Sequence, residues 1–185
     1  GTVEKRKNHV AVFRAWQLLR QRLDDSAIPK VVVVGRWGWN IREFIDAMID
    51  DPQTAAFMEF RTDYVTDTEL AKLYQDCLFT LYPSLKEGWG LPVSESLDYG
   101  KAVITANISS LPEAGGQWAT YVDAYSPAEL ADAAERLITD TAYRADVERN
   151  IIESRTTISW EHVAQVIARE VVALWDSKLL RRRVA

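Results

Sequence analysis

Five short apolar runs, KVVVVG, AFMEF, CLFTLYP, KAVIT and TYVD, alternate with longer stretches of helical periodicity. Strands that alternate with amphipathic helices must be joined by crossovers, and crossovers give a parallel sheet with helices on both faces. The helical stretches carry their own start and stop signals. NHVAVFRAWQLLRQRL has apolar residues at Val12, Ala15, Trp16, Leu19 and Leu23, with Asn8 as the expected N-cap. IREFIDAMID reads as a second helix. TDTELAKLY opens with a capping box, Thr66 and then Glu69 three residues later. LPVSESLDYG has Pro92 in its first turn and Gly100 as terminator. SPAELADAAERLI begins with Ser126, Pro127 and Glu129 in helix-opening order. A further helix covers about 142–153, and the last starts at Ser159 with Trp160, Val163, Ile167, Val171 and Leu174 on one stripe. The unbroken β-branched run KVVVVG predicts a strand covered on both faces. The expected fold is therefore α/β, a doubly wound parallel sheet.

With 185 residues, 48% of them hydrophobic, the chain has enough apolar material for one compact domain. We expect residues 1–158 to form its body and residues 159–185 a C-terminal helix and basic tail of the same domain. A net charge of -5 argues against a general nucleic-acid binder. The single cysteine, Cys77, excludes an internal disulfide framework, points to a reducing, cytoplasmic setting and reads as a small buried hydrophobe within CLFTLYP. No apolar run approaches the roughly 18 residues of a membrane span, and no signal peptide is visible. The opening GTVEKRKN has the character of a loop that follows a strand.

Ligands of open parallel sheets sit beyond the carboxyl ends of the strands, so the informative loops are GRWGWN, RTDYVTD, PSLKEGWG and ANISSLPEAGG. Residues 84–100, SLKEGWGLPVSESLDYG, are the densest in chemistry. Gly88 and Gly90 allow the backbone to approach a ligand, and the helix that starts at Leu91 and Pro92 offers free N–H groups and a positive dipole end to a phosphate. A carboxylate at Glu87 repels phosphate but accepts from sugar hydroxyls. Glu95, on the second helical turn, can accept from a ribose diol. The pair suits a nucleotide sugar; the plainer alternative is a turn with two solvated acids. Lys5, Arg6 and Lys7 put positive charge at the head of a helix, which is unfavourable for its dipole unless an anion sits there. A diphosphate is the natural candidate, a solvated loop the alternative. The seven tryptophans could stack on sugars or fill core. No Asp-x-Asp clamp follows a strand, and His9 and His162 are far apart without a cysteine partner, so neither a metal nor another cofactor is expected.

PSLKEGWGLPVSESLDYG resembles the glutamate–seven–glutamate motif of the retaining glycosyltransferases of family 4, which have the GT-B fold. GTVEKRKNH, KVVVVG, VTDTELAKLY, KAVITANISSLPE and the Ser159–Trp160 pair resemble that family's other landmarks, in order, over nearly the whole chain. The match is to the C-terminal, donor-binding half, and is most similar to enzymes of bacterial surface polysaccharides, lipopolysaccharide included. The resemblance implies a hexose moved from a nucleotide diphosphate sugar, such as a GDP- or UDP-hexose, to a glycan or lipid-linked acceptor, without a metal. It implies donor-sugar contact by Glu87, ribose contact by Glu95, backbone donors at Gly90 and Leu91, phosphate binding by Lys7 with Arg6 beside it, and a cover for the base at Tyr64 and Val65. Gly88 and Trp89 complete the donor loop, Trp89 in place of the more usual Phe. Thr2 stands where many relatives have Arg. The acceptor is expected on an N-terminal Rossmann domain outside this sequence, as is a strand ahead of Gly1, and the isolated chain is expected to be inactive. A non-catalytic sugar- or nucleotide-binding module is the alternative, and a GT-B sugar-nucleotide epimerase a third reading. The basic end, Lys178 and Arg181 to Arg183, reads either as a frayed solvated tail or as a peripheral contact with the inner face of a membrane.

Overall fold

The structure, a computed structural model, describes residues 1–156 and 159–183, with the backbone alone for 176–183. The chain divides into two compact units, Gly1–Arg155 and Thr156–Ala185. In the first, β1 (Val31–Val34) and β2 (Met58–Arg61) pair in parallel, Val31 opposite Met58 and Val34 opposite Arg61. β3 (Thr80–Tyr82), β4 (Val103–Ala106) and β5 (Thr120–Val122) form a second parallel ladder in the order β3-β4-β5. Around them run α1 (His9–Arg22), α2 (Arg42–Asp50), α3 (Pro52–Ala55), α4 (Asp67–Asp76), α5 (Leu91–Asp98), α6 (Leu111–Gly115), α7 (Pro127–Thr139) and α8 (Thr141–Ser154). The α/β class with parallel pairing is as the alternation predicted, but the sheet comes as two ladders.

Residues 1–8 stitch these ladders together at their carboxyl ends. The Gly1 amine donates to the Val34 carbonyl at 2.8 Å, and the Val3 N–H to the Arg36 carbonyl at 2.8 Å. On the other side the Leu85 N–H donates to the Arg6 carbonyl at 2.8 Å. Asn8 precedes α1, but its side chain does not cap it. With left-handed backbone, φ 60°, it turns inward and donates to the carbonyls of Pro83 (3.0 Å) and Ala124 (2.8 Å), tying together the exits of β3 and β5. A buried amide is stable only with such partners.

Pairing explains the burial of the strands. β4 has a neighbour on each edge and all four of its residues are buried. β1 pairs with β2 alone, and of its valines only Val33 is buried while Val32 is 38% exposed. The expected strand covered on both faces is thus only partly realised. CLFTLYP also differs from expectation. Its strand is confined to Thr80–Tyr82, and Cys77 is instead the half-buried C-cap of α4, its thiol pushed up by burial. Part of the loop ANISSLPEAGG forms α6. The Thr66–Glu69 capping box is present as predicted, both arms made.

The main core joins α1 to α7 over the sheets: Phe13, Trp16 and Leu19 meet Leu130, Ala134 and Leu137. Each large side chain so buried contributes about 1.5–3 kcal/mol. A second cluster, Val93, Leu97, Leu111 and Ile151, seats α5 and α6. Trp16 is core, whereas Trp37, Trp39 and Trp89 are exposed. The second unit contains α9 (Trp160–Arg183), on which Ile167, Val171 and Leu174 are exposed. The side chains of Lys178 and Arg181 to Arg183 lie outside the described residues. Among the described residues no helix is long and apolar enough to cross a membrane.

Candidate active site

The two acids of residues 84–100 come to lie in different surroundings. Glu87 sits in the loop after β3, facing the 3₁₀ turn Lys5–Lys7 that leads into α1. Its Oε2 accepts from Arg6 Nη1 at 2.6 Å, and its Oε1 from Lys7 Nζ at 2.7 Å and from the Tyr82 hydroxyl at 3.0 Å. Lys7 also donates to the Tyr82 hydroxyl and lies 4.7 Å from the centre of that ring. Arg6 reaches further, to the Lys86 carbonyl and to Glu4 Oε1, each at 2.7 Å. The Glu87 side chain is only 9% exposed and that of Lys7 14%. Burial alone would raise the Glu87 carboxyl, but the Lys7 and Arg6 contacts outweigh it and hold the group below the usual carboxylate range. The anion that the cationic loop calls for is thus supplied by the protein itself, as Glu87 and Glu4.

The loop carrying Glu87 is held from behind. Ser109 Oγ donates to the Glu87 carbonyl at 2.7 Å, and Ser110 Oγ to the Trp89 carbonyl at 3.0 Å. At the head of α5, Gly90 has φ 111°, and a Cβ there would lie 2.8 Å from Leu111 Cδ2. Only glycine fits both demands. Gly88 differs, for a Cβ there meets nothing within 4 Å. Leu91 is exposed, and among the described residues no acceptor meets its N–H, the first of α5.

Glu95, on the second turn of α5, accepts from the Tyr74 hydroxyl at 2.8 Å. The Tyr74 ring stacks on Tyr99 with centroids 5.2 Å apart. Burial first, then the Glu95 charge, raises the Tyr74 phenol, so it remains a neutral donor. Tyr64 is 79% exposed and Val65 partly so, in the turn before α4, and neither side chain bonds to the Glu87 or Glu95 groups. Trp89 is exposed beside Glu87. A hollow of about 210 Å³, lined by Glu4, Lys5, His9, Phe44 and Tyr125 among others, borders on Glu4 and includes neither Glu87 nor Glu95. Among the described residues no group of three or more metal-ligating side chains gathers.

Sequence reasoning names Arg6, Lys7, Glu87 and Glu95 as candidates, and the structure brings the first three together. It does not point to Tyr74, Tyr82, Ser109 and Ser110, which hydrogen-bond to Glu95, to Glu87 or to its loop. Tyr82 had a usable signal, a residue with a polar tip at the carboxyl end of a strand. Tyr74 had none, since it continues the apolar stripe of a helix.

A parallel α/β domain that sets cations, two acids and a glycine-led helix start at the carboxyl ends of its strands has the form of a Rossmann-like domain. The chain belongs to the glycosyl transferases group 1 family, whose model matches residues 1–154. It is similar to the serotype-specific mannosyltransferase WbdA of Escherichia coli, 27% identical over 175 residues, covering 95% of this chain and 21% of that protein. It is also similar to the O-antigen chain mannosyltransferase B of Escherichia coli, 26% identical over 162 residues, 88% of this chain and 42% of that one. The chain thus spans well under half the length of these curated relatives. Among solved structures, the C-terminal domain of a group 1 glycosyl transferase (LpcC) from Francisella tularensis superposes with a TM-score of 0.69 at 21% identity, covering 86% of this chain and 84% of that one. Anabaena Alr3699/HepE, solved with UDP, gives 0.67 at 17% identity, covering 82% and 41%. The fold is that of the C-terminal, Rossmann-like domain of GT-B glycosyltransferases.

Proposed function

We propose that this domain binds the donor in a retaining GT-B glycosyltransferase of family 4 that moves a hexose from a nucleotide diphosphate sugar to a glycan or lipid-linked acceptor. The observation that carries the reading is the meeting of Arg6, Lys7 and Glu87 at the head of α5, with Glu95 farther along the same helix. The names of the relatives favour mannose as the hexose and bacterial O-antigen as the product.

The diphosphate lies against Arg6, Lys7 and the backbone N–H groups of Gly90 and Leu91 at the start of α5. As the bond from anomeric carbon to phosphate oxygen breaks, negative charge grows on the leaving group, and preformed donors there stabilise the transition state more than the ground state. Glu87 accepts from the sugar hydroxyls and favours positive charge at the anomeric carbon; it is not the covalent nucleophile. Glu95 accepts from the ribose. Gly88 and Trp89 line the sugar side, and Tyr64 and Val65 cover the base. The acceptor binds on a second, N-terminal half, and the domain works without a metal. The basic end of α9 meets the anionic inner face of the membrane.

Calorimetric titration of the chain with GDP and UDP, with and without EDTA, tests this reading. Weak binding that survives chelation is expected. Absence of binding, or binding abolished by EDTA, would refute it.

A further inference from the structure

Glu87 stands where a ligand's anion is wanted. Arg6 and Lys7 are the near cations of the loop, and both spend hydrogen bonds on the Glu87 carboxylate, one on each oxygen. Arg6 is further shared with Glu4. At the Arg6–Lys7 pair itself two cations face two carboxylates. A diphosphate arriving at that pair must compete with Glu87 for both cations.

We propose that Glu87 is an exchangeable internal counter-ion: it occupies the Arg6–Lys7 pair in the empty site and yields it to the diphosphate when a donor binds. This rests on the donor-site reading above. The geometry favours exchange over a permanent knot. Arg6 keeps its contacts to the Lys86 carbonyl and to Glu4 when Glu87 leaves, and its side chain is 41% exposed, so a ligand can reach it. Lys7 keeps the Tyr82 hydroxyl. The loop backbone is anchored independently by Ser109 and Ser110, so the Glu87 side chain can swing without the loop moving.

Two consequences follow. The acid that receives sugar hydroxyls becomes free only once a diphosphate has taken its cations, so the sugar contact is made only by ligands that carry the leaving group. After transfer, the departing nucleoside diphosphate competes with Glu87 for the same cations, and the carboxylate helps to expel it.

The test is the affinity of the 185-residue chain for GDP, UDP and inorganic pyrophosphate, compared with its Glu87→Gln and Glu87→Asp variants. Glutamine removes the competing charge and keeps the size. Aspartate keeps the charge but shortens the reach, so one cation is freed. The expected order of affinity is Gln, then Asp, then the parent, with Gln about tenfold tighter than the parent, the factor expected for release of one charge-assisted hydrogen bond. Thermal melts establish that each variant is folded, and if Glu87→Gln does not fold, Glu87→Asp alone decides, with tighter binding than the parent required. Parent binding with variants equal or weaker overturns the exchange and leaves the donor site standing. No binding by the parent or by any folded variant overturns both.

Discussion

Glu87 and Glu95 lie eight residues apart on one motif, yet the molecule treats them oppositely. Glu87 is almost buried and held by two cations and a tyrosine. Glu95 receives a neutral phenol, and no cation pairs with it among the described residues. Glu87 is held through contacts to charged groups that an incoming anion can take over, whereas Glu95 is held through a single hydrogen bond from a neutral phenol. The motif therefore combines a responsive end and a fixed end.

The largest test of this contrast is pH. His9, two residues beyond Lys7, has its imidazole lowered to about 4, by burial above all and then by the positive charges of the amino terminus and Lys7. Its ordinary value is about 6.5, so the unfolded chain takes up the proton first, and stability present above pH 6.5 is lost progressively down to about pH 4, by about 3 kcal/mol at most. The depressed Glu87 carboxyl acts in the same sense, its contribution present above about pH 4.5 and lost as pH falls further. Melting temperature measured from pH 7 to 4 should fall, and His9→Gln should flatten the upper part of that fall. A curve unchanged in His9→Gln would show that His9 does not carry the upper part of the fall and would leave Glu87 as the charge-sensitive group.

Next in size is catalysis. In a full-length enzyme carrying this domain, Glu87→Gln should lower turnover about 100-fold, or about 2.7 kcal/mol, since charge-assisted hydrogen bonds contribute about 1.5–3 kcal/mol each. Glu95→Gln should mainly raise the donor KM. Equal losses of turnover in the two variants would erase the division of labour.

Between the two acids, the glycines give an internal control. Gly90→Ala should destabilise the domain by about 2 kcal/mol, because it forces a side chain into left-handed backbone against Leu111. Gly88→Ala meets open space and should stay within about 0.5 kcal/mol. Urea unfolding of both variants measures the difference, and similar losses would show that the loop, not the head of α5, is the strained element.

How much of this was legible beforehand follows from the range of the interactions. The capping box at Thr66 and Glu69 and the helix start at Leu91 depend on neighbours in sequence, and they were read correctly. The acids and the cations were found as candidates by residue type. Their pairing was not, because Lys7 and Glu87 are 80 positions apart and only the packing of residues 1–8 against the end of β3 joins them. Asn8 stands at the N-cap position of α1 as its local pattern indicates, but its side chain does not cap the helix, because it donates instead to the distant carbonyls of Pro83 and Ala124. The valines of β1 read as doubly covered because periodicity reports on faces, while edge pairing depends on which strands become neighbours.

The smallest expected effect concerns the fixed end. Tyr74→Phe removes the hydroxyl from Glu95 and keeps the ring stacked on Tyr99. The phenol pins one carboxylate oxygen, Oε2. Without it the carboxylate samples more rotamers and must be ordered by the ligand, at a cost close to one neutral-donor hydrogen bond, about 1 kcal/mol. Nucleotide affinity should therefore weaken about fivefold. Turnover at saturating donor should hold, because the transition-state charge develops at the Glu87 end. Titration of GDP and UDP against the variant gives the first number, and full-length kinetics the second. A fall in turnover as large as that of Glu87→Gln would mean that the two ends are coupled through α5 and that Glu95 is not fixed after all.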